Sequence, residues 1–313
     1  MSELTDSRAA SFDLQRVVSE LAAVRQSWRE AQQRSTEPGG RELPSREALA
    51  DIVKGLRGAL FPMRLGPSDL RQESEDFYVG YTLDSVLHGL LHQVRLELSY
   101  ASRHDATQTE AALDVQALHI VREFSHALAQ IRSLLDSDVT AAFAGDPAAR
   151  SVDEVLLCYP GIEAMIHHRI AHRLYALGVP LLARLVAELA HGKTGIDIHP
   201  GATIGAGFFI DHGTGVVIGE TAVIGQRVRV YQAVTLGAKS FPIDAQGHPL
   251  KGLPRHPHVQ DDVVIYAGAT VLGRVTIGKG ASIGGNVWVT HDVAPGAQVT
   301  QARSQRDEAL ALL

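Results

Sequence analysis

The spacing of apolar residues predicts helices in the first part of the chain. They recur at intervals of three and four, as on the buried face of an amphipathic helix. The clearest run is Leu83, Val86, Leu87, Leu90, Leu91, Val94 and Leu98. The same spacing predicts helices over residues 11–34, 113–135 and 162–189, and Pro180 is expected to open a new helix within the last range.

A second pattern starts near Gly192, where the apolar period becomes six. The series runs in three stretches: Ile198, Ile204 and Ile210; Ile218, Ile224, Val230 and Leu236; and Val259, Ile265, Val271, Ile277, Ile283 and Val289. A small or apolar residue stands two positions before most of them. This period predicts short strands, three to a coil, stacked around a continuous aliphatic column. An immunoglobulin-like or barrel domain would instead show alternation over 4–8 residues.

These two patterns predict an α+β chain with a fixed order of parts. Residues 1–191 are expected to be all-helical, with a linker over 36–44 because turn formers replace the apolar period there. Residues 192–297 are expected to form the hexapeptide-repeat β-helix, and 298–313 a C-terminal tail. Glycine supports the boundary, since 19 of the 29 glycines lie within residues 192–296.

The period of six is broken twice. The step from Ile210 to Ile218 is eight residues, and the step from Leu236 to Val259 is 23, which predicts an extended loop over 238–258. Breaks in a strict solenoid are where binding and catalysis are usually carried. Both breaks contain histidine, which makes them the first places to look for a site.

Composition narrows the possible functions. The formal net charge of −6 supplies no general attraction to nucleic acid or to an anionic membrane. No apolar stretch reaches the roughly 18 residues that a membrane span needs, and the first residues lack a secretory signal, so a cytoplasmic protein is expected. The single cysteine, Cys158, rules out an internal disulfide, and its apolar neighbours predict a core thiol.

Several segments together resemble the serine O-acetyltransferases, a family of hexapeptide-repeat enzymes. They are Asp146-Pro-Ala148, Asp197-Ile-His-Pro200, Ile210-Asp-His-Gly-Thr-Gly215, Val217-Ile-Gly-Glu-Thr-Ala222, Val234-Thr-Leu-Gly237 and Arg255-His-Pro257. The resemblance covers about residues 146–296. It implies a left-handed parallel β-helix and transfer of an acetyl group from acetyl-CoA to L-serine, which is the first step of cysteine biosynthesis from serine.

Transfer of an acyl group to a hydroxyl needs a base for the hydroxyl proton. Imidazole suits that role at neutral pH, and His212 lies in the first break, so His212 is the expected base. Asp197 lies fifteen residues upstream, a little under one coil of eighteen, and is expected to accept the second ring N–H of His212. Direct transfer needs neither a covalent enzyme intermediate nor a metal.

The resemblance also implies how the substrates are held. Arg255 and His256 would bind the serine carboxylate, while Asp146 and Asp211 would face its ammonium and hydroxyl groups. An arginine fork suits a carboxylate because it can donate two parallel hydrogen bonds. The pantetheine arm of acetyl-CoA would lie in a groove between subunits, near three small residues, Ala238, Ala267 and Gly285.

The family resemblance further implies a homotrimer or a dimer of trimers. Members that dock O-acetylserine sulfhydrylase commonly end in isoleucine, whereas this chain ends in Leu313, so that complex is not expected. Three helix histidines, His167, His168 and His172, are expected at a helix surface or subunit contact rather than on a metal.

Three other functions remain open at this stage. A zinc enzyme resembling the γ-type carbonic anhydrases would use histidines such as His199, His212, His256 and His258. Such a site would leave Asp197, Arg255 and the helical domain without a role. A related acetyltransferase could accept a sugar, antibiotic or homoserine hydroxyl instead of serine. A scaffold without enzymatic activity is the third.

Overall fold

The computed structural model describes residues 12–32, 43–103, 107–240, 242–244 and 246–301. The chain divides into two compact units, Met1–Arg41 and Glu42–Leu313. The first contains one described helix, α1 (Leu14–Ala31), and Asp13 caps it by accepting a hydrogen bond from the Arg16 amide. The expected linker over 36–44 falls largely outside the described residues.

The second unit begins with eight helices among its described residues. They are α2 (Arg46–Leu60), α3 (Pro62–Leu65), α4 (Glu75–Ala101), α5 (Glu110–His126), α6 (Leu128–Gly145), α7 (Val152–Cys158), α8 (Pro160–Ala176) and α9 (Pro180–Thr194). A single 3-10 turn, Gln72–Ser74, precedes α4. The expected helix over 83–98 lies inside α4, and the division at Pro180 separates α8 from α9.

Two helical features differ from the prediction. The expected helix over 113–135 is two helices, because the chain breaks at Ala127 between α5 and α6. Helix α2 was not predicted. Its buried residues nevertheless follow helical spacing, and the Ser45 hydroxyl accepts a hydrogen bond from the Ala48 amide as an N-cap.

Fourteen short parallel strands follow the helices in the described part of the chain. They are β1 (Asp197–Ile198), β2 (Thr203–Ile204), β3 (Phe209–Ile210), β4 (Val217–Ile218), β5 (Val223–Ile224), β6 (Arg229–Val230), β7 (Thr235–Gly237), β8 (His258–Val259), β9 (Val264–Ile265), β10 (Thr270–Leu272), β11 (Thr276–Ile277), β12 (Ser282–Ile283), β13 (Trp288–Val289) and β14 (Gln298–Val299). Strand β14 lies within the segment expected to be a tail, and residues 302–313 are outside the described chain.

The strands stack into three parallel sheets, because each strand from β1 to β10 pairs with the third one after it, and β12 pairs with β14. Sheet 1 has the order β1-β4-β7-β10-β13, sheet 2 the order β2-β5-β8-β11, and sheet 3 the order β3-β6-β9-β12-β14. Successive strands therefore lie on successive sides of a three-sided coil. Each corner is named here by the sheets it joins, so the chain passes the 1–2 corner, the 2–3 corner and the 3–1 corner in turn.

The period of six marks the residues that fill the inside of the coil. Each of the first thirteen strands carries one residue of the predicted series, and every one of them is buried. In sheet 1 the pairing places Ile198, Ile218, Leu236, Val271 and Val289 in one column. Each such aliphatic side chain contributes roughly 1.5–3 kcal/mol on burial, so the column is a main source of stability.

A buried ion pair joins the helices to the first coil. The Arg169 guanidinium on α8 donates to both carboxylate oxygens of Asp138 on α6, at 3.0 and 3.1 Å. It also donates to the carbonyls of Ile204 and Gly205 in the first coil. Asp138 in turn accepts from the Phe208 amide at 2.9 Å. The pair therefore fixes α6 and α8 against the coil, which positions the end of α6 beside the 3–1 corner.

No helix among the described residues is long and apolar enough to cross a membrane.

Candidate active site

The first break in the period forms a tight bend at the 3–1 corner. Asp211 and His212 follow β3, and the next residues adopt a left-handed backbone, with φ of 59° at His212 and 91° at Gly213. A Cβ atom at Gly213 would lie 2.5 Å from the Ile196 side chain, so only glycine fits. The bend turns the His212 side chain outward, where 73% of it is exposed.

Asp211 is held in place beside His212 by an arginine from the next coil. Its Oδ2 accepts a hydrogen bond from Arg229 Nη2 at 2.8 Å, while Arg229 Nη1 donates to the Gly145 carbonyl at 2.7 Å. The other oxygen, Oδ1, lies 3.8 Å from His212 Nε2. Arg229 therefore ties the end of α6 to the corner that carries the histidine.

Asp146 follows α6 and brings a second carboxylate to this corner. It accepts hydrogen bonds from the Tyr159 hydroxyl at 2.5 Å and from the Ala148 amide at 2.8 Å. The Tyr159 hydrogen bond is the main reason that the pKa of Asp146 lies below its usual value. The same bond raises the pKa of Tyr159 to about 12, so the phenol stays protonated and Asp146 stays charged at neutral pH. Asp146, Asp211, His212, Tyr159 and Arg229 form what is called here the His212 corner.

The second break places an arginine and a histidine at the 1–2 corner. Arg255 Nη2 donates to Glu220 Oε2 at 2.6 Å, and the Tyr175 hydroxyl donates to the other oxygen of Glu220 at 2.9 Å. Burial alone would raise the pKa of Glu220, but the hydrogen bonds from Arg255 and Tyr175 outweigh burial and lower it. Glu220 is therefore a charged anchor for the arginine.

His256 packs into the same corner as a neutral ring. Its Nδ1 accepts a hydrogen bond from the Thr221 amide at 3.1 Å, which leaves the proton on Nε2. Burial, followed by the charge of Arg255, lowers the pKa of His256 to about 4. A Cβ atom at Gly219 would lie 2.0 Å from the ring, so this glycine makes room for it. Arg255, His256, Glu220, Thr221 and Tyr175 are called here the Arg255 corner.

The two corners lie at opposite edges of sheet 1. Among the described residues of one chain, no hydrogen bond or ion pair joins them. Asp197 projects from the outer face of sheet 1. His199 follows it in the 1–2 corner, where burial lowers the pKa of the ring and the charge of Asp197 partly opposes that shift. No hydrogen bond or ion pair joins Asp197 to His212 within the described chain.

Comparisons with known proteins identify the family. The family "Bacterial transferase hexapeptide (six repeats)" matches residues 256–291. A curated relative from Synechococcus elongatus, "Serine acetyltransferase, plasmid", is 57% identical over 267 residues, which are 85% of this chain and 84% of the relative. The chain belongs to the serine acetyltransferase family.

Solved structures of serine acetyltransferases share the fold. The Entamoeba histolytica serine acetyltransferase 1 in complex with L-cysteine has 37% identity and a TM-score of 0.69, covering 80% of this chain and 86% of that one. The Neisseria gonorrhoeae serine acetyltransferase in complex with serine has 30% identity and a TM-score of 0.52, covering 81% and 94%. The helices, parallel strands and hexapeptide repeats described above are therefore typical of serine acetyltransferases.

The predicted substrate residues divide between the two corners. Asp146, Asp211 and His212 come together at one corner, and Arg255 and His256 at the other. The residues expected near acetyl-CoA also divide. Ala267 and Gly285 meet at the 3–1 corner, where a Cβ atom at Gly285 would lie 3.2 Å from the Ala267 carbonyl oxygen. Ala238 instead follows β7, at the start of the long loop.

Sequence reasoning missed the residues that hold these groups. Tyr159, Arg229 and Tyr175 carry no motif of their own, and their partners are 13 to 84 residues away along the chain. Glu220 stands inside a segment that resembles other serine acetyltransferases, so its acidic side chain beside Gly219 was a signal that could have been used.

Two expectations about helix residues were wrong. Cys158 is exposed rather than part of the core, because it is the last residue of the short helix α7, in which only Val155 is buried. His167 and His168 are buried rather than at a helix surface. His167 Nδ1 bonds to the Glu163 carbonyl at 2.8 Å, and burial holds the pKa of His168 well below its usual value.

The described residues offer one group of three side chains with metal-ligand atoms close together. They are Glu188, His191 and Asp197, whose ligand atoms lie within 4.8 Å of one another. Glu188 already accepts from Arg184 at 3.1 Å, which accounts for one of its oxygens. The four histidines that a zinc carbonic anhydrase would use are not gathered within the described part of one chain.

Proposed function

We propose that the His212 and Arg255 corners jointly bind L-serine and acetyl-CoA and form O-acetyl-L-serine and CoA. The observation that carries this assignment is the exposed His212 ring beside two carboxylates, Asp146 and Asp211. A hydroxyl substrate with an ammonium group would meet both a base and a negative charge there. The Neisseria relative in complex with serine supports the choice of acceptor.

His212 acts as the base. Its imidazole takes the hydroxyl proton while the serine oxygen attacks the thioester carbonyl carbon. The carbon–sulfur bond then breaks, the ester remains on serine, and the imidazolium returns the proton to the departing CoA thiolate. Asp197 would accept the second ring N–H of His212 and stabilise the imidazolium.

The His212 corner offers a negative charge, and the Arg255 corner offers N–H donors, to the two charged groups of zwitterionic serine. At the His212 corner Arg229 neutralises one of two carboxylates, so one negative charge remains for the ammonium group. At the other corner Arg255 keeps N–H donors beyond those used by Glu220 and the Leu253 carbonyl, and these would bind the carboxylate. Neutral His256 Nε2–H adds an uncharged donor.

We further infer that a second copy of the chain completes the site. One serine must reach His212, Asp197 and Arg255 together, yet within a single chain they lie on two corners and the sheet between them. A threefold axis that runs in the direction in which the coils stack would bring the 3–1 corner of one copy next to the 1–2 corner of the next copy. A homotrimer of left-handed β-helices is therefore proposed, alone or paired as a dimer of trimers.

The groove between copies is the proposed place for acetyl-CoA. Ala267 and Gly285 line the 3–1 corner below His212 and leave its backbone open to the amides of the pantetheine arm. Ala238 would border the arm from the neighbouring copy. The transfer as proposed requires no metal, and a cytoplasmic location is retained as a prediction from composition.

The test measures thiol release from acetyl-CoA with serine, homoserine, phosphoserine or a sugar as acceptor. Serine should give the fastest release, and His212→Ala should lose about 10²–10⁴-fold in rate because the base is gone. His248→Ala, in the exposed loop, is the matched control and should retain the wild-type rate. No serine-dependent release above the His212→Ala background would end the proposal, and faster release with another acceptor would reassign it.

A further inference from the structure

Helix α1 presents an apolar stripe in which at least four side chains are exposed. The stripe comprises Leu14, Val17, Leu21, Val24 and Trp28. The first four side chains belong to residues that are 68%, 43%, 52% and 67% exposed, respectively. No residue of α1 is buried, although all of this helix is described. An exposed apolar stripe along an 18-residue helix indicates a surface that packs against another molecule.

The spacing of the stripe is that of a coiled-coil seam. The intervals along the five residues are three, four, three and four, which average 3.5 residues per turn. In heptad terms, Leu14 and Leu21 occupy position a, and Val17 and Val24 occupy position d. Val18, at the neighbouring position e, is also exposed and widens the stripe on one side. The alternation of three and four along positions a and d is that of helices packed on each other, so it favours another helix as the partner.

The charges beside the seam favour a copy of α1 itself. Glu20 occupies position g and Arg25 occupies position e of the next heptad. In a parallel pair in register, position g of one helix faces position e, five residues further on, in its neighbour. Glu20 of one copy would therefore lie beside Arg25 of the next. Helix α1 carries three arginines and two glutamates, which is too nearly balanced for an anionic membrane surface to be the favoured partner.

We infer that α1 forms a parallel, in-register, three-stranded coiled coil with α1 of two other copies. Leucine at a with a β-branched residue at d favours assemblies of more than two strands. The choice of three rests also on the trimer proposed for the active site. In such an assembly identical residues meet layer by layer, so the exposed leucines and valines become buried.

Disulfide cross-linking tests this contact directly in the full-length protein. In a Cys158→Ser background, which removes the exposed native thiol, Val24→Cys places a thiol in the seam and Ser19→Cys places one at the opposite position f. Mild oxidation should cross-link Val24→Cys between chains at least tenfold faster than Ser19→Cys. Equal rates, or no inter-chain product from Val24→Cys, would overturn the proposal. An antiparallel pairing would also give no faster cross-linking of Val24→Cys, because the same d position of two helices does not meet in it.

Charge reversal provides a second, milder variant. Glu20→Arg should slow cross-linking through Val24→Cys severalfold, because it places like charges together across the seam. Adding Arg25→Glu should restore the rate by reversing both partners. No rescue by the double reversal would contradict the register.

Thiol release is measured on the same variants to separate the two proposals. Loss of cross-linking with normal serine-dependent release would remove the coiled coil and leave the catalytic proposal standing. Normal cross-linking without serine-dependent release would remove the catalytic proposal and leave the coiled coil standing.

Discussion

At the scale of single residues, one or two neighbours shift the pKa values of two side chains of the candidate site. The hydrogen bond from the Tyr159 hydroxyl lowers the pKa of Asp146, and burial, followed by the charge of Arg255, lowers the pKa of His256. The first effect comes from Tyr159, which was not a predicted site residue. The second depends on how the end of the long loop packs against the coil. The chemistry of the predicted residues therefore depends on contacts that can be removed one at a time.

Removing the Tyr159 hydroxyl should weaken serine binding more than it slows the chemical step. Tyr159→Phe deletes a hydrogen bond to a charged group, so Asp146 becomes free to turn away from the ammonium group. The KM for serine should rise roughly 3- to 10-fold with kcat little changed. This effect is smaller than the full contribution of a hydrogen bond to a charged group, because Asp146 itself remains in the site. Steady-state kinetics check this, with Tyr266→Phe as a control whose hydroxyl does not touch Asp146. An unchanged KM would show that the bond does not position the carboxylate.

The neutral state of His256 should make stability depend on pH. Its pKa is about 4 in the folded chain and about 6.5 when unfolded, so between these values only the unfolded chain binds the proton. The free energy of unfolding should then fall as pH falls from about 6.5 toward 4. Urea unfolding at pH 7, 6 and 5 should show a shallower fall in His256→Gln than in the wild type.

The control for this pH effect is His248→Gln, whose ring is largely exposed on the loop. It should keep the wild-type dependence on pH. Parallel curves for the wild type and His256→Gln would mean that the ring titrates normally in the folded protein.

Candidate site residues could be chosen from the sequence where a motif contained them and not where a distant partner defines them. Asp146, Asp211, His212, Arg255 and His256 all stand in segments that resemble the family. Their supports come from other elements, as when Tyr175 on α8 reaches Glu220, 45 residues further along. No spacing rule connects such positions, because the contact exists only once the helices have packed on the coil.

At the scale of elements, the coil was the most predictable part. One inward residue per strand is enough to define a solenoid, and all thirteen expected positions are buried. The helices were less predictable because several arrangements satisfy a three–four period. The break at Ala127 between α5 and α6 has neither proline nor glycine to mark it, so a single longer helix fitted the sequence equally well.

The buried pair between α6 and α8 should be a sensitive point for stability. Arg169→Met would leave the Asp138 carboxylate buried without its partner, at a cost of about 3–5 kcal/mol in the free energy of unfolding. Urea denaturation measures it. Arg227→Met, which breaks an exposed pair with Asp262, is the matched control and should change little.

Replacing both buried partners separates charge from packing. Arg169→Met combined with Asp138→Leu should recover part of the loss, because no buried charge remains. A loss in Arg169→Met no larger than in the exposed control would contradict the role given to the pair.

At the scale of the whole molecule, the separation of the two corners makes a prediction about mixed assemblies. His212→Ala and Arg255→Ala should each be nearly inactive alone. If each site takes one corner from each of two copies, a 1:1 mixture refolded together should recover about one quarter of the wild-type rate, since two independent halves must both be intact. Thiol release after co-refolding measures this.

The control mixes the two variants without unfolding them, so that no chains exchange and no activity returns. Recovery absent after co-refolding, with assembled protein present, would place both corners of a working site in one chain.

The long loop also bears on how the coil accommodates extra sequence. The strand pairing is continuous across it, since β5 pairs with β8 and β7 with β10 on either side. At the far end of the loop, the Arg255 amide donates a hydrogen bond to the Thr221 hydroxyl oxygen at 2.9 Å. A Cβ atom at Gly247, at the tip of the loop, would have no other atom within 4 Å, so the packing of the strands does not depend on this position. A peptide tag or reporter domain inserted there should leave the solenoid intact, which makes the tip a natural attachment point for engineering.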